Sequence, residues 1–287
     1  MKIHHLGAGE MQPFGGALFD GRTPGVGPSH FVCHCLLLET AAGLILIDAG
    51  VVGRNAERSA ELIGPVFRTA FNMRLRSEES AAAQVERLGF QPGDVKHIVM
   101  THMDFDHVAG LPDFPNATVH LSGAEAKAVR SPRSPKESAR YGVANAFSQS
   151  NWHSYDHLDA EFFGLPATYL DEVPALMLVW LPGHTRGHCG VAIDLGRGQF
   201  MLHAGDAILN ARELDPEHPS MPTGARLLQW SLEASQAQRR RSLASLRRIN
   251  RDQGHHVEII CTHDPYLLAM SSPEAPDKPG RVVMGGG

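Results

Sequence analysis

Thr101-His-Met-Asp-Phe-Asp-His107 is a short segment with two imidazoles and two carboxylates, and it follows directly on an apolar run. The run, His97–Thr101, has the length and composition of a buried strand that leads into the segment. Imidazole and carboxylate together are the ligand types that zinc, iron and manganese use in proteins. We therefore interpret the segment as one part of a metal site at the end of a strand.

Four further apolar runs of strand length end in the same way, each followed within three residues by an imidazole or a carboxylate. Strand ends along one edge of a sheet lie close together, so these side chains would share a small volume. Carboxylates packed so closely repel one another, and divalent cations offset their charge. The sequence therefore predicts a metal site. Its candidate ligands are His102, Asp104, Asp106, His107, His184, Asp206 and His263.

The sequence pattern predicts strands and short helices in the first half of the chain. A hairpin is predicted over 35–48, with its turn at Ala41-Ala42-Gly43. Ser77 is a good N-cap for a helix over 78–88. After a strand at 118–121, Ser122 and Glu125 form the pattern of a capping box that opens a helix to about residue 130.

The second half resumes with strands at 175–181, 188–195 and 199–203, a long helix over about 227–250, and a last strand at 257–261. This order of elements suits two sheets packed together with helices outside them. We predict an α/β fold that forms one domain over residues 1–287. Residues 131–170 lose the regular pattern, and we interpret them as an insertion or lid over the site, or else as a surface excursion without a role.

The bulk composition is that of an ordinary globular protein, with 43% hydrophobic and 20% charged residues among 287. A net charge of −5 gives no positive field for nucleic acid or an anionic membrane. The run 175–181 is too short to cross a bilayer, and the N-terminus lacks the apolar core of a signal peptide. We expect a soluble, cytoplasmic protein whose partner is a small-molecule substrate. Its oligomeric state stays open, with a homodimer among the options.

The remaining clusters receive structural interpretations. The four cysteines are too sparse for a disulfide framework, so buried, reduced thiols are expected. Cys33-His34-Cys35 resembles a soft-metal site, but alternation along a strand would point His34 away from both thiols. The basic runs 239–241 and 247–248 are interpreted as a solvated helix face.

With these motifs in place, the chain resembles the metallo-β-lactamase-fold hydrolases, which carry H-x-H-x-D-H followed by a later His, Asp and His. The resemblance extends from Leu44 to His263 and implies a four-layer αββα sandwich with two divalent metal ions. It places His102, His184 and position 104 on one metal, and Asp106, His107 and His263 on the other. Asp206 would bridge the metals, while Asp48 would support the ligands without touching a metal. His188 follows Gly187 in a predicted loop, and we interpret it as a support of the ligands or as a packed strand residue, not as a ligand.

Asp104 departs from the family pattern, which usually has His at this position. Three carboxylates instead of two would make a bridging water less acidic and shift the metal preference. Zinc is still the expected metal, with manganese or iron as alternatives. The flavin-linked di-iron oxidoreductases of the same superfamily carry a carboxylate here, so an acid is compatible with a dinuclear centre.

The resemblance implies metal-assisted hydrolysis, in which a metal-bound hydroxide attacks a polarised carbonyl. Asp106 would take the proton and deliver it to the leaving group, or serve as a ligand alone. Residues 35–50 look most like the acyl-homoserine-lactone lactonases, which favours a lactone or carboxylic ester as substrate. Those enzymes place a Tyr three residues after the bridging Asp, where this chain has Leu209. Residues that bind the substrate are not assigned.

The alternative reactions come from other branches of the same superfamily. Thioester hydrolysis of the glyoxalase II type shares the motif H-T-x-G-H, which here is His184–His188. A di-iron oxidoreductase would have to lack its flavin domain. A β-lactamase is disfavoured without a signal peptide, and a nuclease without a basic groove.

Overall fold

The computed structural model describes residues 1–147 and 151–271, which form two six-stranded sheets. The first sheet has its strands in chain order: β1 Lys2–Met11, β2 Phe31–Thr40, β3 Gly43–Ile47, β4 Val95–Val99, β5 Thr118–Ser122 and β6 Trp152–Tyr155. The second is also in chain order: β7 Ala160–Phe162, β8 Leu165–Leu170, β9 Val173–Trp180, β10 Cys189–Gly196, β11 Gln199–His203 and β12 Val257–Ile260.

Both sheets mix the two strand directions. In the first sheet β1, β2 and β3 are antiparallel, and β3 to β6 run parallel. In the second sheet β7 to β11 are antiparallel, and β12 runs parallel to β11. Parallel neighbours end at the same edge, so the loops after β3 and β4, and those after β11 and β12, emerge together.

The described helices lie outside the sheets: α1 Ala17–Asp20, α2 Ala56–Ile63, α3 Pro65–Ala70, α4 Ala81–Arg87, α5 Phe105–Val108, α6 Gly123–Arg130, α7 Pro135–Arg140, α8 Gly142–Asn145, α9 Thr223–Leu232, α10 Gln236–Gln253 and α11 Pro265–Ala269. None of these helices has both the length and the apolarity to cross a membrane.

Three apolar clusters define four layers. The central one lies between the sheets and includes Ile45 and Val99 from the first sheet and Val191 from the second. Another joins the outer face of the first sheet to α4, α6 and α8. The third joins the second sheet to α10, through residues such as Leu246. The αββα sandwich is therefore confirmed, and burial of these side chains supplies its main stabilisation.

In the first half of the chain, the structure confirms one local prediction, corrects another and adds a strand. The hairpin is confirmed as β2 and β3. The helix predicted over 78–88 was wrong at its start, because residues 77–79 form a 3₁₀ turn and Ser80 caps α4 through the backbone N–H of Ala83. β1 had not been predicted, since its glycines and histidines hide the alternation of a strand.

The single helix predicted over 227–250 was also wrong. The chain breaks at 233–235 into α9 and α10, and Ser235 caps the second helix. The interruption frees the N–H of Ala234, which donates to the carbonyls of Gly183 (2.8 Å) and His184 (3.0 Å). The break therefore supports the loop that carries a predicted ligand.

The irregular segment 131–170 is divided between different parts of the fold. Residues 152–155 form β6 at the edge of the first sheet, and residues 160–170 contribute β7 and β8 to the second. Along the chain, α7 and α8 come between α6 and β6. The helix α7 borders the cavity described below. The four cysteines are free and buried, as expected.

Candidate metal centre

All of the predicted ligands lie at one edge of the sandwich, in the loops that follow the strands. The first segment comes after β4 and continues into α5, with Asp104 just before the helix. His184 follows β9, Asp206 follows β11, and His263 follows β12. The sequence prediction that strand ends bring these side chains together agrees with this placement.

One group of four ligand atoms surrounds a point beside α5. His263 Nε2 lies 3.1 Å from Asp206 Oδ2 and 3.4 Å from Asp106 Oδ2. His107 Nε2 lies 3.5 Å from Asp206 Oδ1 and 4.0 Å from Asp106 Oδ2. Two ligands of a tetrahedral zinc ion are about 3.3 Å apart, given bonds of about 2.0–2.1 Å. These residues could therefore hold one cation.

A second group shares Asp206 with the first. Asp206 Oδ2 lies 3.6 Å from His184 Nε2 and 4.0 Å from His102 Nε2. Asp104 Oδ2 stands 3.0 Å from His184 Nε2 and 3.4 Å from His102 Nε2, beside the cluster of His102, His184 and Asp206 that could hold an ion. The two groups together bring all seven predicted ligands into one place, with Asp206 between them.

The donor atoms are buried and lack the partners that buried polar atoms normally have. His102 Nε2, His107 Nε2 and Asp206 Oδ1 are all inaccessible to solvent and make no hydrogen bond. Such atoms are costly unless something compensates them. Imidazole nitrogens and carboxylate oxygens that converge in this way fit divalent metal ions.

The charges around His107 and Asp206 also favour a bound cation. Burial would lower the pKa of His107, but Asp48, Asp206 and Asp106 outweigh it and raise that pKa well above its usual value. Likewise, burial would raise the pKa of Asp206, yet His263 and His107 hold it well below the usual range. The site thus has an excess of negative charge, which a bound cation would neutralise in place of protons on the imidazoles.

Asp48 and Thr101 orient the imidazoles from behind. Asp48 accepts hydrogen bonds from the backbone N–H and the hydroxyl of Thr101, both at 2.8 Å. Its Oδ2 also accepts from His107 Nδ1 at 2.8 Å. Thr101 Oγ1 lies 3.0 Å from His102 Nδ1. With Nδ1 engaged in each ring, Nε2 is directed at the site, which is the supporting role expected for Asp48.

His188 is placed where it cannot act as a ligand. Its Nδ1 donates to the carbonyl of Leu181 at 3.0 Å, and its Nε2 accepts from the N–H of Asp206 at 2.9 Å. Burial, followed by the neighbouring His102 and His184, lowers its pKa well below the usual value. Both ring nitrogens are used, so His188 fixes the backbone of Asp206. Gly205 must be small, because a Cβ there would approach His188 Nε2 to 2.7 Å.

Glu125 builds the site in a way that the sequence did not indicate. The predicted capping box is half formed: Ser122 accepts from the N–H of Glu125, but the Glu125 side chain turns inward. Its carboxylate accepts from the N–H of Met103 (3.0 Å), from the hydroxyl of Thr185 (2.7 Å) and from the N–H of Gly187 (3.0 Å). Glu125 therefore ties the loop after β4 to the loop after β9.

Arg140 is the second feature that sequence reasoning missed. Its Nε lies 3.4 Å from Asp104 Oδ1, and its NH1 donates to the carbonyl of His184 at 2.7 Å. Burial would raise the pKa of Asp104, but Arg140 and then His102 hold it well below the usual range. From the sequence, Asp104 counts as a third negative charge at the site; in the structure, α7 brings a guanidinium that offsets this charge.

The site opens into a cavity of about 170 Å³ with a largely apolar wall. Leu209, at the position expected for a Tyr, is one of the side chains that line it, and so is Phe105. Lys136 and Arg140 are the cationic residues of the wall, and both come from α7. The other apolar lining residues are Met11, Phe31, Phe67, Phe71, Ala139, Leu228 and Leu232.

Comparison with known proteins identifies the family. The metallo-beta-lactamase superfamily model matches residues 28–249. A protein named probable metallo-hydrolase, from Mycobacterium tuberculosis, is 34% identical over 279 residues, which cover 94% of this chain and 83% of that protein. An N-acyl homoserine lactonase of a Bacillus species is 25% identical over 185 residues, covering 64% of this chain and 67% of its own length.

Solved structures show the same fold at lower identity. An N-acyl homoserine lactone hydrolase, with the product N-hexanoyl-L-homoserine at its catalytic metal centre, superposes with a TM-score of 0.66 at 20% identity. The match covers 93% of this chain and 94% of that one. AidC, described as a dizinc quorum-quenching lactonase, matches with a TM-score of 0.59 at 17% identity, covering 92% and 87%. The chain belongs to the metallo-beta-lactamase superfamily and is a metal-dependent hydrolase.

Proposed function

We propose that the two groups around Asp206 each hold a divalent metal ion and that the enzyme hydrolyses a lactone or carboxylic ester. The observation that carries the proposal is the shared Asp206, whose carboxylate lies within 3.5 Å of His107 Nε2 through Oδ1 and within 3.1 Å of His263 Nε2 and 3.6 Å of His184 Nε2 through Oδ2, beside an apolar cavity. The lactonases among the related proteins support the choice of substrate class. When bound, the metals would acidify a water molecule and polarise the substrate carbonyl.

Zinc is the metal that we favour, with manganese or iron as alternatives. The sequence argument for a shift away from zinc depended on the extra charge of Asp104. Arg140, 3.4 Å from that carboxylate, offsets the charge. The electrostatic demand of the site is then close to that of the family pattern with His at this position.

The protein's own residues would divide the remaining work. Asp106 borders the cavity, and its Oδ2 faces His263. We assign to its other oxygen, Oδ1, the proton that passes to the leaving group. Phe105 and the other apolar side chains would receive the hydrocarbon part of the substrate and exclude water. The side chain of Leu209 has no hydrogen-bond donor, so it cannot perform the role of a Tyr side chain.

The α7 segment completes the substrate side in this proposal. Lys136, Ala139 and Arg140 line the cavity from this helix. Residues 131–147, rather than the whole of 131–170, would therefore form the wall or lid over the site. The substrate pocket and the metal centre would belong to one domain.

The test is a comparison of substrate classes on zinc-loaded protein. We expect kcat/KM for γ-lactones or aryl esters to exceed that for matched thioesters. His263→Ala should lower kcat/KM at least about 100-fold. His255→Ala, which changes an exposed histidine, is the matched control and should keep full activity.

Two results would contradict the proposal. Hydrolysis confined to thioesters would assign the chain to the glyoxalase II type of reaction. Dioxygen consumption by iron-loaded protein, with no hydrolysis of any panel member, would assign it to the oxidoreductases.

A further inference from the structure

A second cluster of ligand-type side chains lies at the interface of the two sheets, away from the metal centre. His97 is on β4, His120 is on β5, and Glu172 is in the turn between β8 and β9 of the opposite sheet. His97 stands five positions before His102, which is about 16 Å of extended chain. The cluster is therefore not part of the centre around Asp206.

The three donor atoms have the spacing of ligands around one cation. His97 Nδ1 lies 3.0 Å from His120 Nε2 and 3.3 Å from Glu172 Oε2, and the last two atoms are 3.8 Å apart. A point about 2.0 Å from all three atoms exists, because a triangle with these sides has a circumscribed circle of that radius; zinc binds His and Glu at about 2.0–2.2 Å.

The His120 ring is held in a state in which it could bind a metal ion. Burial, and then the neighbours His97 and His153, lower the pKa of His120 to about 4, so the ring is neutral. With the Nδ1 proton of His120 donated to the hydroxyl oxygen of Tyr155 at 3.0 Å, Nε2 keeps its lone pair. Tyr155 thus holds the ring as the outer partner of a metal-binding histidine does.

The carboxylate of Glu172 faces both rings, at 3.3 Å from His97 Nδ1 and 3.8 Å from His120 Nε2. An ion pair or a hydrogen bond would engage one ring at a time. A divalent cation between the three atoms would bind all of them and offset the charge of the carboxylate.

We infer that His97, His120 and Glu172 form a further metal site, which takes a divalent transition metal such as zinc and cross-links the two sheets. Water would complete the coordination, because the Glu172 side chain is 47% exposed. The role is structural, since the metal would join a turn of the second sheet to two strands of the first.

The experiment compares the zinc content of wild type with that of variants at the proposed site. Wild type, His97→Gln and Glu172→Gln are dialysed to equilibrium against buffered zinc, and zinc per chain is measured by mass spectrometry. We expect wild type to hold one equivalent more than either variant, whatever the content of the Asp206 centre. Tyr155→Phe should weaken binding of that equivalent about tenfold, as loss of an outer partner does. Zinc at about 100 times its dissociation constant from this site should raise Tm by about 5 °C in wild type relative to His97→Gln.

Glu161→Gln is the matched control, because it removes an exposed carboxylate of the same sheet. It should bind zinc as wild type does, and all of these variants should keep the hydrolytic activity of wild type. Equal zinc contents in wild type and His97→Gln would overturn the inference, and so would an equal loss in Glu161→Gln. Because the readout is a difference in zinc content, it stands even if the substrate proposed above is wrong.

Discussion

Replacing Arg140 by Met should expose the cost of an unpaired Asp104. The side chains of Asp104 and Arg140 are only 12% and 8% exposed, and Nε is 3.4 Å from Oδ1. At an effective dielectric constant of about 20 the pair attracts by about 5 kcal/mol, before desolvation is subtracted. Removing one partner of a buried pair typically costs about 3–5 kcal/mol, because the other charge stays buried. We expect a loss of that size in the unfolding free energy of the metal-free protein.

Urea unfolding of four proteins tests this expectation: wild type, Arg140→Met, Asp104→Asn and the double variant. The double variant should recover part of the loss, with a coupling energy of about 1–3 kcal/mol. Arg140→Lys is the matched control, since it keeps the charge. Zinc should reduce the cost of Arg140→Met, because a cation beside Asp104 would replace the guanidinium. A coupling energy below about 0.5 kcal/mol would refute the pairing.

Three further predictions concern two supports of the centre, Asp48 and Glu125, and the candidate ligand His107. Asp48→Asn should weaken zinc binding about 10- to 100-fold, because His107 loses the charged acceptor that orients its ring; competition with a chelator measures this, and unchanged affinity would contradict it. Glu125→Gln should lower the unfolding free energy by about 3 kcal/mol in urea, since an amide cannot accept all the hydrogen bonds at this position; a loss below about 0.5 kcal/mol would contradict that role. The pKa of His107 is raised in the metal-free protein, so its contribution to stability is complete below about pH 6.5 and is lost as pH rises through the raised value. Because zinc replaces that proton, the Tm difference between zinc-loaded and metal-free protein should grow over the same range, and a constant difference would count against it.

The sequence predicted which side chains lie together at the site because each candidate ligand follows the end of a strand. Each candidate follows an apolar run, and parallel strands bring such ends to the same edge. Asp206 and His263 could be placed together for this reason, although 57 residues separate them. The layer order followed from the same runs.

The supports of the site could not be predicted because their partners are distant in the chain. Glu125 stands in a perfect capping pattern after Ser122, and nothing in that pattern reveals a carboxylate turned toward Thr185. The helix break at 233–235 is hidden in a sequence with continuous helical propensity. It becomes intelligible only when the N–H of Ala234 is seen to reach Gly183.

The two halves of the centre are therefore held in different ways. His107 and His263 are fixed by the strands themselves, through Asp48 and the carbonyl of Val32. His184 instead depends on added elements, since its carbonyl accepts from Arg140 and from Ala234. Arg140 also lines the cavity. A substrate that displaces α7 would thus move the ligands of the group with Asp104 while leaving the other group in place. We therefore expect Arg140 to link substrate binding to the geometry of the group that contains Asp104.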